Sequence, residues 1–319
     1  MKIVVLDGYA ANDGDLSWEP IQALGEVDIY DRSPADTIVE RCRGKEAVLI
    51  NKVVLDAAIL AQLPDLRYIG YLATGYNTVD LEAANKQGIT VANAQGYSSQ
   101  SVAQHTIAML LNWSNEIATH AQSVKAGDWL SAPDWTYRKT PLLELAGKTL
   151  GIIGLGNIGL QTAKIAMAFG MQVIAHNPNS RPTDLVEWVD LETIFDRSDV
   201  ISLHCPLTPQ NEGLINRSRL GKMKKTALLL NTARGGLINE HDLAEALSQG
   251  TIRGATLDVL STEPPKPDNP LLSAPNCRIT PHIAWATMES RNRLLEIVGA
   301  NLAAFINGKP QSVVNSPLL

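Results

Sequence analysis

The sequence predicts an α/β protein of two doubly wound, parallel-sheet domains. Over the first hundred residues, short apolar runs alternate with stretches of helical period, and a second series of the same kind begins at Lys148. A chain of 319 residues, at roughly one domain per ~150 residues, makes two such domains. Hydrophobic residues make up 45% and charged residues 19%, which excludes a disordered chain.

In the first series, residues 2–6, 27–30, 47–50, 68–72 and 89–91 read as strands, and 17–24, 34–41, 56–62 and 80–86 as helices. Gly88 stands where a helix C-cap feeds the strand that follows. From 98 to about 125 runs one long helical pattern that carries Val102, Ile107, Leu110, Leu111, Trp113, Ile117 and Val124. An aromatic loop with Trp129, Trp135 and Tyr137 comes next. So apolar a helix is either core or an element packed between domains or subunits. The second series has strands at 149–153, 172–176, 200–203, 227–231, 254–258 and 278–280, and helices at 158–169, 217–222 and 240–249. A last helix, 287–306, is long enough to return to the first domain. The expected domains are therefore 1–98 with 287–319, and 99–286.

Charge narrows the function. With 27 basic and 33 acidic residues the net charge is −6, and no basic run occurs, so a nucleic-acid or anionic-membrane surface is not expected. Three well-separated cysteines, Cys42, Cys205 and Cys277, suit a reducing compartment better than a disulfide framework. Asp7 comes too early for a secretory core, and no apolar run nears the ~18 residues of a membrane span. A soluble, cytoplasmic protein is expected. His204 and Cys205 lack ligand-like spacing with other histidines, so no metal site is expected.

Gly154-Leu155-Gly156-Asn157-Ile158-Gly159 is a G-x-G-x-x-G that follows an apolar strand and opens a helix, the context of a dinucleotide site. Gly154 permits the tight turn, Gly156 lets the backbone approach a pyrophosphate, and Gly159 lets helix and strand pack closely. The first helical amides, at Asn157 and Ile158, face the anion. An NAD site usually has an acid roughly 20 residues on, to hold the ribose 2′-hydroxyl. Here the next strand ends at His176-Asn177-Pro178-Asn179-Ser180-Arg181 instead. Asn177 takes the acid's place, while Ser180 and Arg181 suit a 2′-phosphate, so NADP is expected over NAD. The plain alternative is that Arg181 is a solvated loop cation.

Three residue types gather where strands of the second series end, the edge at which open α/β sheets bind ligands. Arg234 follows the strand at 227–231, Glu263 the strand at 254–258, and His282 the strand at 278–280. Reduction of a 2-keto acid needs a fork-like cation to hold the carboxylate and polarise the ketone, which suits a guanidinium. The nascent alkoxide needs a proton, which suits an imidazole. A carboxylate beside that imidazole favours its charged form and fixes its orientation. Singly, each residue has an ordinary structural reading. Jointly they point to an acid/base site.

These segments, with Leu72-Ala73-Thr74-Gly75-Tyr76-Asn77-Thr78-Val79-Asp80, Ser101-Val102-Ala103-Gln104-His105-Thr106 and the stretch 144–154, resemble the D-isomer-specific 2-hydroxyacid dehydrogenases, most closely the glycerate dehydrogenase/hydroxypyruvate reductase branch. The resemblance spans nearly the whole chain. It implies a Rossmann-type cofactor domain inserted into a flavodoxin-like substrate domain, and a homodimer joined through 98–140. Arg234 would bind substrate, His282 would be the acid/base and Glu263 would tune it. Ala73, Thr74 and Gly75 would grip the substrate carboxylate. Val102, Cys205, Pro206, Thr232, Ala233 and Asp258 would line the cofactor.

The same comparison narrows the substrate. No basic residue lies between Tyr68 and Asp80, where phosphoglycerate-type relatives are expected to carry an arginine. Thr74 stands where phosphite-oxidising relatives are expected to have lysine, and Glu263 where formate-oxidising ones have an amide. Lys52 is either a substrate-side cation or a solvated loop residue. Trp285 either walls the pocket or packs in a core. The expected reaction is reduction of hydroxypyruvate or glyoxylate with NADP or NAD. The rivals are a corepressor-like nucleotide-binding protein, a dehydrogenase for another 2-hydroxy acid and, more remotely, a methyltransferase.

Overall fold

The computed structural model describes residues 1–179 and 183–316. It divides into two compact units, Met1–Ser98 with Trp285–Leu319, and Ser99–Ala284. The first unit begins β1 (Lys2–Val5), α1 (Glu19–Gln22), β2 (Glu26–Ile29), α2 (Ile38–Cys42), β3 (Ala47–Ile50), α3 (Ala57–Leu60), β4 (Tyr68–Tyr71), α4 (Leu81–Lys86) and β5 (Thr90–Ala92). All its strand pairs are parallel, in the order β2-β1-β3-β4-β5, which is the flavodoxin-like order. Every residue of β3 and β4 is buried, so these strands are covered on both faces and read as unbroken apolar runs. Asp56 and Asp80 start α3 and α4 by accepting the amides of Ile59 and Ala83, each at 2.9 Å. Gly88, at φ +69°, ends α4 and lets the Ile89 amide donate back to the Ala84 carbonyl.

The second unit comprises α5 (Ser99–Asn115), α6 (Ile117–Lys125), β6 (Thr149–Ile153), α7 (Asn157–Ala168), β7 (Gln172–His176), β8 (Glu187–Trp188), α8 (Leu191–Arg197), β9 (Val200–Leu203), α9 (Arg217–Leu220), β10 (Leu228–Asn231), α10 (Glu240–Ser248), β11 (Gly254–Leu257) and β12 (Cys277–Ile279). Its parallel sheet runs β12-β11-β10-β9-β6-β7-β8. Strand order reverses between β6 and β9, so the crevice beyond the carboxyl ends of those two strands is the topological switch point. The chain then returns to the first unit as α11 (Met288–Ile306), which buries Leu294, Leu295, Val298 and Leu302 against Ile3, Val5 and Leu49. After α11, the Val314 amide donates to the Val91 carbonyl, and Asn315 accepts the Val91 amide at 2.8 Å. That return covers the open edge of β5.

The helical pattern from 98 to 125 is two helices and not one. Glu116 sits between them in the left-handed region, at φ 48°. Its carboxylate pairs with the Arg278 guanidinium, which lies 4.1 Å over the Trp113 ring and donates to the Asn112 carbonyl at 2.9 Å. Apolar periodicity runs on across the break because the ion pair that turns the chain is long-range. α5 is a core helix of its unit, with Ile107, Leu110 and Trp113 packed beside Leu150, Ile152 and Ala163. α6 is mostly exposed. Two elements had no counterpart in the sequence pattern, β8 and α8. Yet Asp190 caps α8 by accepting the Thr193 amide, a start signal that could be read directly.

Candidate active site

The glycine turn lies between β6 and α7, at the switch point. Gly154 has φ +102°, and a Cβ there would overlap the backbone at His204–Cys205, so glycine is obligatory. A Cβ at Gly159 would overlap the Gly154 carbonyl, which accounts for the third glycine. Gly156 is different, because a Cβ there would meet nothing within 4 Å. The space lies at the N-cap of α7, where no side chain caps the helix. α8, α9 and α10 in the same unit all have side-chain caps. Uncapped amides, a helix dipole and room at Gly156 fit a dinucleotide pyrophosphate.

Asn177, immediately past β7, holds this turn. Its Oδ1 accepts the Leu155 amide at 2.6 Å, and its Nδ2 lies 3.5 Å from the Leu155 carbonyl. Ser180 and Arg181 lie outside the described residues. Cys205 packs against Gly154, and burial pushes its thiol pKa up. Pro206 is exposed on the same turn, and Val102 is buried in α5.

Arg234, Glu263 and His282 follow β10, β11 and β12, three adjacent strands whose last residues stand in register. The Arg234 turn is fixed by Asn231, whose Oδ1 accepts the Ala233 amide at 3.0 Å while its Nδ2 donates to the Arg234 carbonyl at 2.9 Å. Thr232 is anchored beside it through its hydroxyl, 3.0 Å from that of Thr106. A Cβ at Gly235 would overlap the Leu260 backbone, so the Arg234 turn rests directly on the loop that carries Glu263. The Arg234 side chain is exposed, with Nη1 donating to the Ala233 carbonyl at 2.7 Å.

Glu263 Oε1 accepts the Leu260 amide at 3.1 Å, and Oε2 lies 2.6 Å from His282 Nδ1. Committing Nδ1–H to the carboxylate leaves Nε2 as the nitrogen that exchanges protons. The two side chains are 32% and 31% exposed, open to a solute yet partly shielded. His282 itself has φ +54°, a conformation an L-residue keeps only when its surroundings impose it. Asp258 supplies much of that constraint. It is 1% exposed, and its Oδ1 accepts the Thr280 hydroxyl at 2.5 Å and the Ile283 amide at 3.0 Å, while Oδ2 accepts the Ala284 amide at 2.8 Å.

In the first unit, Ala73, Thr74 and Gly75 follow β4. The Thr74 hydroxyl donates to the Ala94 carbonyl, and Asn93 Nδ2 donates to the Thr74 carbonyl, both at 2.7 Å. Among the described residues, no acceptor takes the amides of Thr74 and Gly75. Lys52 is exposed after β3, on a loop held by Asp7. Trp285 packs on the core around α11, edge-on to Tyr97 at 6.3 Å. Asn231 and Asp7 were not singled out in the sequence. Their only signal was a polar residue at or just past the end of an apolar strand.

Comparison with known proteins agrees with this fold. The sequence profile of the D-isomer specific 2-hydroxyacid dehydrogenase, NAD binding domain, matches residues 107–284. A hydroxypyruvate reductase of Blautia hydrogenotrophica is 47% identical, over 99% of this chain and 100% of its own. A glycerate dehydrogenase of Methylorubrum extorquens is 46% identical, over 88% and 89%. Among solved structures, the TT0316 protein of Thermus thermophilus superposes with a TM-score of 0.87 at 35% identity, over 98% of this chain and 100% of that one. An acyclic imino acid reductase in complex with NADPH and D-Arg superposes at 0.86 with 30% identity, over the same shares. With the profile, the relatives and both sheets in agreement, the chain belongs to the D-isomer specific 2-hydroxyacid dehydrogenase family.

Proposed function

We propose that this enzyme reduces a small unphosphorylated 2-keto acid, hydroxypyruvate or glyoxylate, to the D-2-hydroxy acid. The observation that carries the proposal is the 2.6 Å Glu263–His282 couple beside the Arg234 turn, on the same sheet edge as the glycine turn. When bound, the nicotinamide supplies the hydride. Arg234 holds the carboxylate and polarises the ketone. His282 Nε2 gives its proton to the carbonyl oxygen as the C–H bond forms, and solvent restores it. Glu263 keeps the ring turned and its Nδ1 occupied. The open amides of Thr74 and Gly75 are donors for the substrate carboxylate, with Ala73, Lys52 and Trp285 as further substrate-side residues. The hydroxypyruvate reductase and glycerate dehydrogenase relatives support this choice of substrate.

We further propose NADP in preference to NAD. Asn177 brings no carboxylate to repel a 2′-phosphate, and the sequence offers Ser180 and Arg181 to receive one. Asp258, Cys205, Pro206, Thr232, Ala233 and Val102 stay in the cofactor assignment. A homodimer through the 98–140 region is supported by exposed Ile117, Trp129, Leu130 and Trp135, the last two 94% and 85% exposed. A cytoplasmic setting is supported by three free cysteines, and no helix among the described residues is long and apolar enough to cross a membrane.

A panel of small 2-keto acids assayed with NADPH and with NADH tests these proposals. Highest kcat/KM for hydroxypyruvate or glyoxylate with NADPH is expected, and a clear NADH preference overturns the cofactor choice. His282→Ala is expected to lower kcat by about 1000-fold or more with nucleotide affinity kept. Near-full turnover by that variant removes the assignment of the proton donor.

A further inference from the structure

Asp258 clamps the turn that carries His282, and helix α5 in turn grips the clamp. His105 Nε2 lies 3.3 Å from the Thr280 hydroxyl and 3.5 Å from Asp258 Oδ1. One helical turn earlier, on the same face of α5, the Ser101 hydroxyl donates to the Ala284 carbonyl at 2.6 Å. Two side chains of one helix thus hold both ends of the 280–284 segment, with His282 between them in its left-handed conformation. The Asp258 carboxylate is almost wholly out of water, and such a group keeps its geometry only while every acceptor position is satisfied. A hydroxyl and two amides satisfy part of it. Among the described residues the His105 imidazole is the one titratable donor brought to it, and its ring is 22% exposed, too enclosed for a solvated surface histidine.

We propose that His105 is a positioning residue for the proton-transfer step. It completes the donor shell of Asp258 and Thr280, and so keeps His282 aimed. The inference rests on the reading of His282 as proton donor and adds to it a group that touches neither substrate nor the reacting atoms.

The test compares His105→Phe, which keeps a ring and removes the donor, with His105→Gln, whose amide can reach the same partners. Proton transfer tolerates misplacement poorly, so His105→Phe is expected to lower kcat between about 10- and 100-fold. KM for the keto acid and for the nucleotide should stay within about twofold. The solvent deuterium isotope effect on kcat should rise as proton transfer becomes limiting, and His105→Gln should recover most of the loss. His105→Ala serves the same comparison where the phenylalanine variant does not fold.

Unchanged kcat in a folded variant lacking the donor overturns the inference. So does a loss of kcat that merely follows the melting temperature, with no change in isotope effect and no rescue by glutamine. His282→Ala measured in parallel separates the two readings. If it retains turnover, the proton-donor assignment fails. If it is inactive while His105→Phe is normal, only the role of His105 fails.

Discussion

Each unit holds a loop with a carboxylate that reaches across from a neighbouring strand, but the two clamps are built differently. Asp7, two residues past β1, accepts the amides of Asn51, Lys52 and Val53 at 2.7, 2.5 and 3.0 Å, on the loop that follows β3. Asp258, the residue after β11, holds the loop that follows β12 with two amides, a hydroxyl and a nearby imidazole. Burial raises the Asp7 carboxyl above the usual carboxylate range, despite the three amides and the Lys52 charge, which pull the other way. Amides alone therefore do not offset the loss of water around a carboxylate. The clamp given side-chain donors is the one whose loop carries His282, the proposed proton donor, in a left-handed conformation. The Asp7 clamp, which takes no hydroxyl or imidazole, holds a loop with no left-handed residue from 51 to 55.

The sharpest way to break that contrast is Asp258→Ala. It removes the acceptor of the Ile283 and Ala284 amides and of the Thr280 hydroxyl, leaves His105 with that hydroxyl alone, and empties a site that is 1% exposed. A loss of about 3 kcal/mol in stability is expected from urea unfolding. Turnover should fall by about 100-fold or more, because the His282 turn is no longer held. If Asp258→Ala affects turnover no more than an equivalent change at Asp7, the two clamps are equal and the distinction fails.

These clamps also mark the limit of what the sequence discloses. The strands were legible because β3, β4, β9, β10 and β11 are buried on both faces and leave unbroken apolar runs. The glycine turn was legible because it stands between an apolar strand and a helix, and Gly154 and Gly159 answer local steric demands. Arg234, Glu263 and His282 were legible from chemistry at successive strand ends. The break at Glu116 was not, since the arginine that stabilises it lies 162 residues away. Nor were the roles of His105 and Asp7, whose partners are 175 and 44 or more residues distant and obey no periodicity. What a residue contributes through a long-range partner is invisible until the fold brings the two together.

His204 extends the comparison to a partly buried group without an ionic partner. It follows β9, makes a 2.9 Å contact through Nε2 to the Ser202 hydroxyl, and burial pushes its pKa down to about 4. The unfolded chain, with an ordinary imidazole near 6.5, binds the proton more readily than the folded one. Stability contributed by neutral His204 is thus present above that value and is lost as pH falls from there toward about 4. At about pH 5 the loss is about 2 kcal/mol, and His204→Gln, which keeps a partner for Ser202, should remove most of it. Urea unfolding of both proteins at about pH 7 and about pH 5 measures it. An equal acid loss in the variant assigns the effect elsewhere.

The smallest effect has the opposite sign and belongs to Asp7. Because its carboxyl is raised in the fold, the folded chain holds that proton more firmly than the unfolded one. The stability it contributes is fully present below the ordinary value of 3.8 and declines as pH rises through the raised folded value. Asp7→Asn keeps one acceptor for the three amides and removes the titration. The wild-type advantage over this variant should therefore shrink, by less than about 1 kcal/mol, between about pH 4 and about pH 7. The acid loss through His204 is common to both proteins and cancels in the difference. An advantage that grows with pH would mean that the three amides outweigh desolvation after all. The Asp7 clamp would then match that of Asp258 in strength, and the side-chain donors around Asp258 would need a reason other than the burial of its charge.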